Sequence, residues 1–147
     1  MTTTRHVARA IGSTGTSSPP YRVELLAGPH ELVADEPLPG GGADAGPSPF
    51  GLLLSGLAAC TAMTLRMFAD RKRWIADAIG VDVRYDVDDN GKGSIARTIT
   101  LPAELPAEQR DRLAAIAERT PVTLAIRNGV PITTTVRTPS QASSSIP

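Results

Sequence analysis

One stretch constrains this chain more than any other: SPFGLLLSGLAACTAMTLRMFADRKRW, residues 48–74. Ser48 is a good helix N-cap, and Pro49 follows at the first helical position, where a missing N–H costs nothing. From there to about Trp74 only Gly56 interrupts, and it is a small residue that a helix tolerates. The first half of the segment is apolar on every side, through Phe50, Leu52, Leu53, Leu54, Leu57, Ala58, Ala59, Cys60, Ala62 and Met63. A helix apolar all round must be covered all round. One sheet covers one face, so a second layer is required, and in a chain of 147 residues that layer is expected from another subunit. The second half carries Arg66, Asp70, Arg71, Lys72 and Arg73 and is expected to emerge into solvent.

The segments around this helix read as strands and short connections. Arg5 to Ile11, Tyr21 to Ala27 and His30 to Ala34 suggest an antiparallel meander, broken at GSTGTSSPP and Gly28-Pro29. The loop PLPGGGADAGPSP lacks both a Gly-Lys-Ser/Thr and a dinucleotide-type glycine spacing, so it is expected to be a flexible connector. Val81 to Asp88 alternates apolar and polar residues as a half-buried strand does, turns through Asn90-Gly91 and returns as Ile95 to Leu101. A second helix is expected from Pro106 to about Arg119, with Leu113, Ile116 and Ala117 inward. A last hairpin, Val122 to Ile126 and Val130 to Thr138, is expected to turn at Asn128-Gly129. Strands, long helix, hairpin, helix, hairpin is an α+β order with antiparallel pairing. Residues 1–138 read as one domain and 139–147 as a disordered tail.

Composition narrows the function. The 15 basic and 15 acidic side chains balance, so no electrostatic footprint points to nucleic acid or an anionic membrane. The opening MTTTRHVARAIGS has no signal-like apolar run, and FGLLLSGLAACTAM reads as a buried helix rather than a membrane span. A cytoplasmic, reducing setting is therefore expected, where a lone thiol stays reduced. The single cysteine, Cys60, excludes an internal disulfide, and the two histidines, His6 and His30, stand far apart, so neither a metal nor a cofactor is expected.

Taken alone, Cys60 is open to two readings: a small buried hydrophobe or a reactive thiol. It lies about three turns beyond Pro49, past the reach of the helix dipole, so a reactive thiolate there needs a cation from outside the helix. Its surroundings add to this. The string GPSPFGLLLSGLAACTAMTLRMFADRKRW closely resembles the central-helix signature of the OsmC-like branch of the OsmC/Ohr superfamily (osmotically inducible protein C and organic hydroperoxide resistance proteins). AGPHELVADEP before it, then LPAEQRDRLAAIAERTPV and VPITTTV after it, fall in the same order. The resemblance covers roughly residues 5–137.

The resemblance implies an OsmC-like fold, with antiparallel sheets wrapped around two long helices in an intertwined homodimer. It also implies peroxiredoxin-like reduction of organic hydroperoxides in an oxidative stress response, with Cys60 at the peroxidatic position. An arginine from the N-terminal strands would attend it; Arg9 is the best match, with Arg22 and Arg5 as alternatives. Phe50, Leu53, Leu57 and Met63 would line an apolar substrate pocket or, equally, belong simply to the core.

This sequence also departs from the family pattern. Thr120, in Thr120-Pro121-Val122, stands where the resolving cysteine of the family peroxidases would be, and Phe50 and Gly51 stand where a carboxylate would orient the arginine. Two functions remain open on these residues. One is a one-cysteine peroxide reductase served by an external thiol. The other is a non-catalytic scaffold of the same fold that binds an apolar ligand or acts in a stress response. A thiol-dependent hydrolase or transferase is a smaller third possibility, since no histidine shares a motif with Cys60.

Overall fold

The computed structural model describes residues 3–16, 20–74 and 77–139. In chain order the elements are β1 (Ala10–Thr14), β2 (Val23–Ala27), β3 (His30–Ala34), a 3-10 turn (Leu38–Gly40), α1 (Pro49–Arg71), β4 (Gly80–Val87), β5 (Gly93–Thr100), α2 (Ala107–Ala117) and α3 (Pro121–Asn128). The strands form two antiparallel sheets, β1-β2-β3 and β4-β5. The α+β reading stands.

Both ends of α1 are built by local chemistry. At the start, Ser48 Oγ accepts the Gly51 N–H at 3.1 Å, with Pro49 inside the first turn. At the end, Arg73 takes a left-handed conformation (φ 57°) and donates its N–H to the Asp70 carbonyl at 3.0 Å. The Trp74 N–H reaches the Ala69 carbonyl at 2.9 Å. This is a Schellman closure, and its apolar clasp is the Trp74 ring set edge-on to Phe68 with centroids 5.4 Å apart. The helix therefore stops at Arg71 rather than at Trp74.

The core lies beside the second half of α1, not the first. Leu65, Leu105, Leu113 and Ala117 are buried together, with Phe68, Trp74, Ile79, Ile99, Leu101 and Ile116 packed against them. The expectation that this half would emerge into solvent is corrected. Its charges Arg66, Asp70 and Arg71 share only the outer side, where Arg66 pairs with Asp70 at 2.9 Å. Leu57, Thr61, Leu65 and Ala69, each four residues apart, form one buried stripe under β4, α2 and α3. By length and mean hydropathy α1 could cross a bilayer, but this stripe makes it the central helix of a packed layer.

The N-terminal strands differ in detail from expectation. The first runs over Ala10–Thr14 rather than Arg5 to Ile11, because Gly12 and Ser13 pair with Leu25 and Glu24 instead of turning. The glycine-rich connector is pinned rather than flexible. Asp35, 2% exposed, accepts the N–H groups of Glu36 (2.8 Å), Ala43 (3.2 Å) and Ala45 (3.1 Å). Asp44 donates its N–H to the Glu36 carbonyl at 3.1 Å, and Asp35 its own to the Pro47 carbonyl at 3.2 Å. A Cβ at Gly42 would overlap the Glu36 carbonyl, and one at Gly46 the Val33 carbonyl, so only glycine allows the loop to fold back here.

The largest correction concerns the C-terminus. Residues 121–128 form α3, not the first strand of a hairpin. Thr120-Pro121 repeats the start signal of Ser48-Pro49, and the β-branched Val122, Thr123 and Ile126 obscured it. Residues 129–139 then run without regular structure, leaving Val130, Ile132 and Val136 exposed. Of the expected disordered tail, residues 140–147 lie outside the described residues.

Two substitutions test these backbone devices. Replacing Asp35 by Ala strips three backbone donors of their acceptor and is expected to cost about 2–3 kcal/mol in urea denaturation. Replacing Arg73 by Gly relieves the left-handed position and is expected to raise stability by about 0.5–1 kcal/mol. An unchanged midpoint in either variant would refute the corresponding account.

Candidate functional site

The side of α1 away from its buried stripe carries Leu53, Gly56, Cys60, Met63 and Met67. The spacing of three and four residues places them along one line. Leu53 is 43% exposed, Met63 64% and Met67 61%, while Cys60 between them is half-buried. The thiol thus sits midway along an apolar ridge that the described residues of its own chain leave largely uncovered. Polar surface is the rule for such a face, so the ridge is the feature of α1 that local folding does not explain.

The four residues expected to form one pocket fall in two places. Leu53 and Met63 flank Cys60 on the ridge. Leu57 is buried and faces the β4–β5 hairpin. Phe50 stacks on Tyr85 of β4, with centroids 4.5 Å apart and planes 18° from parallel. Gly93, which pairs with Val87 diagonally from Tyr85, leaves room for the Tyr85 ring, because a Cβ there would collide with its hydroxyl. Gly51 donates its N–H to Ser48 Oγ in the helix cap, so Phe50 and Gly51 serve packing and capping here.

Arg9 is exposed and precedes β1, and its side chain makes no hydrogen bond or ion pair among the described residues. Arg22, just before β2, pairs with Glu24 of that strand at 2.7 Å on the surface. The strands they precede are not among the elements that pack most extensively on α1, which are β4, α3 and α2. His30 opens β3 and His6 precedes β1, on this same N-terminal part of the chain.

Thr120 is fully buried, in a polar cluster centred on Arg97 of β5. Nη1 of Arg97 donates to Thr61 Oγ1 at 3.0 Å and to Thr123 Oγ1 at 2.8 Å. Nη2 donates to the Ala117 carbonyl at 2.9 Å and to Glu118 at 3.4 Å. The hydroxyl protons then have one consistent order. Thr61 donates to the Leu57 carbonyl (2.8 Å), and Thr123 to the Ala117 carbonyl (3.3 Å). Thr120 donates to Thr123 across 2.6 Å. The Thr120 oxygen is therefore committed inside a network.

Glu118 also receives Arg127, at 2.6 Å on its Oε2. That hydrogen bond holds the Glu118 carboxyl below its ordinary value, against a smaller opposing effect of burial. Sequence reading passed over Arg97, although a signal was present. Ile95, Arg97 and Ile99 share one face of β5, so an arginine stands where the alternation calls for an apolar residue.

The sequence profile described as OsmC-like protein matches residues 40–135. No curated protein matches. Among solved structures, the fold is similar to that of an OsmC-like protein from Mycoplasma pneumoniae. The TM-score is 0.70 at 16% identity, over 86% of this chain and 91% of that one. It is also similar to an organic hydroperoxide resistance protein OsmC from Legionella pneumophila, with TM-score 0.64 and 20% identity over 85% and 92% of the two chains. A third likeness is to an organic hydroperoxide resistance protein from Elizabethkingia anophelis, with TM-score 0.63 and 19% identity over 87% and 93%. With the profile spanning more than half of its residues and this architecture around the cysteine-bearing helix, the chain belongs to the OsmC-like protein family.

Proposed function

We propose that this protein is a one-cysteine thiol peroxidase that reduces organic hydroperoxides as a cytoplasmic homodimer, with residues 1–138 forming its single domain. The observation that carries this reading is Cys60 in the middle of an uncovered apolar ridge, on the central helix of an OsmC-like chain. The names of the Legionella and Elizabethkingia proteins point to the same substrate class. An apolar bed of Leu53 and Met63 suits the organic part of such a peroxide.

In the proposed cycle the Cys60 thiolate attacks the terminal peroxide oxygen. The O–O bond breaks, the organic oxygen leaves and takes up a proton as alcohol, and Cys60 becomes a sulfenic acid. Thr120 cannot form a disulfide. An external thiol therefore condenses with the sulfenic acid, releasing water, and a second thiol frees Cys60 by exchange. No resident cofactor or metal takes part. Arg9 is the proposed cation for the thiolate, delivered by the N-terminal sheet of a second copy.

The homodimer is supported by surfaces that lack partners within one chain. Ile11 and Leu26, cross-strand neighbours on one face of the β1-β2-β3 sheet, are exposed, as are Leu53, Met63 and Met67 of α1 and Val130, Ile132 and Val136. A second copy related by a two-fold axis would place sheet on ridge twice over, and would bring the second long helix that each chain lacks.

A second reading is a non-catalytic scaffold that binds an apolar ligand. It is favoured by the commitment of Thr120 to the Arg97 cluster and by the packing of Phe50 on Tyr85, which take two family positions away from redox chemistry. Thiol-dependent peroxide turnover separates the two readings.

Reduced protein mixed with cumene hydroperoxide is expected to form Cys60 sulfenic acid faster than the urea-unfolded chain does, as read by mass spectrometry after trapping. Consumption of the peroxide should require added thiol and vanish in Cys60→Ser. Equal rates for folded and unfolded protein would end the peroxidase reading. In sedimentation, the wild type is expected at twice the 15.4 kDa chain mass. A Met63→Asp, Met67→Asp double variant is expected to move toward the single chain, since each buried unpaired carboxylate costs several kcal/mol. A wild type that sediments as a single chain would exclude the dimer.

A further inference from the structure

A cavity of about 460 Å3 lies between the β4–β5 hairpin, the inward face of α1 and α3. Its apolar wall includes Leu57, Ile95 and Ile126, and its charged wall is Arg97, Arg127 and Glu118. Cys60 is not among its lining residues.

The charges on that wall do not balance. Two guanidinium groups share one carboxylate, and Glu118 favours Arg127 (2.6 Å) over Arg97 (3.4 Å). The Arg97 side chain is only 11% exposed, and its remaining partners are two hydroxyls and a carbonyl, all neutral. A cation withdrawn from water and only partly matched attracts an anion to the space it faces. Glu118 is 57% exposed, and a ligand carboxylate must displace it from both cations. On Arg97 only the long Nη2 contact to Glu118 is open to exchange, and on Arg127 the Nη2 bond to Glu118 Oε2, so an incoming carboxylate takes the place of Glu118 between the two guanidinium groups. The cavity volume is in the range of small-molecule sites, and its apolar side offers a place for a hydrocarbon body.

We propose that this cavity binds a small amphipathic monocarboxylate, its carboxylate held by Arg97 and Arg127 and its aliphatic or aromatic body laid against Leu57, Ile95 and Ile126. Glu118 competes with the ligand for the same two cations. That competition gives opposite signs at neighbouring residues. Removing Arg127 weakens binding, whereas neutralising Glu118 strengthens it.

The test is calorimetric titration of the full chain with hexanoate, acetate and the neutral hexanamide. Hexanoate is expected to bind saturably, acetate more weakly for want of a body, and hexanamide about tenfold more weakly for want of a charge. Arg127 is 54% exposed, so Arg127→Gln should fold normally, which circular dichroism checks, and should lose about tenfold in hexanoate affinity. Glu118→Gln should bind hexanoate more tightly than the wild type. No saturable binding, equal affinity for acid and amide, an Arg127→Gln affinity equal to the wild type, or a Glu118→Gln affinity no higher than the wild type would each overturn the proposal.

Discussion

The guanidinium of Arg97 is the tie on which the C-terminal part of this molecule depends. It reaches from β5 to Thr61 on α1, to the last carbonyl of α2 and to Thr123 on α3, joining four elements through one side chain. Burying such a cation costs several kcal/mol unless its donors are met. Here two hydroxyls, one carbonyl and one carboxylate meet them. No buried side-chain nitrogen or oxygen among the described residues lacks a hydrogen-bond partner. The geometry also fixes directions. Thr61 must face inward, and Cys60, one residue earlier, is turned about 100° from it toward the outer ridge. The placement of the thiol therefore follows from what the neighbouring threonine is required to do.

That division gives α1 two unlike sides. The inner stripe is satisfied by β4, α2 and α3, and the outer ridge is left largely uncovered by the described residues. The N-terminal sheet also carries exposed apolar residues. These two incompletely covered layers are what the proposed homodimer would complete. The apolar residues of 130–136 add to the same deficit. Their alternation reads as a strand, yet the segment joins neither described sheet.

Much of the architecture was legible because its signals were local. Ser48-Pro49 marked the helix start, period-two alternation marked β4, and Asn90-Gly91 marked the turn between β4 and β5. The failures arose where local preference and tertiary demand diverge. Val122, Thr123 and Ile126 favour strands by χ1 restriction, but Thr123 is required by Arg97 and Thr120-Pro121 opens a helix, so α3 forms instead. The role of Asp35 was hidden because its acceptors serve N–H groups eight and ten residues away. Cys60 could be singled out as a lone thiol on an apolar helix. The Arg97 cluster could not be assembled, because its members lie 20 to 36 residues from Arg97 in sequence. One arginine on an apolar strand face was its only local trace.

The threonine at position 120 also has a physical explanation that does not depend on loss of function. A hydroxyl donates a strong hydrogen bond to Thr123 across 2.6 Å, whereas a thiol donates weakly and needs a longer contact. Thr123 accepts both Thr120 and Arg97, so its hydroxyl is polarised from two sides while its own proton is directed to Ala117. A cysteine at 120 would weaken one arm of that arrangement at the N-cap of α3, beside a buried charge. Thr120 therefore supports Arg97 indirectly, through Thr123. In this chain position 120 is thus part of the framework that ties the start of α3, through Thr123, to Arg97 and so to α1.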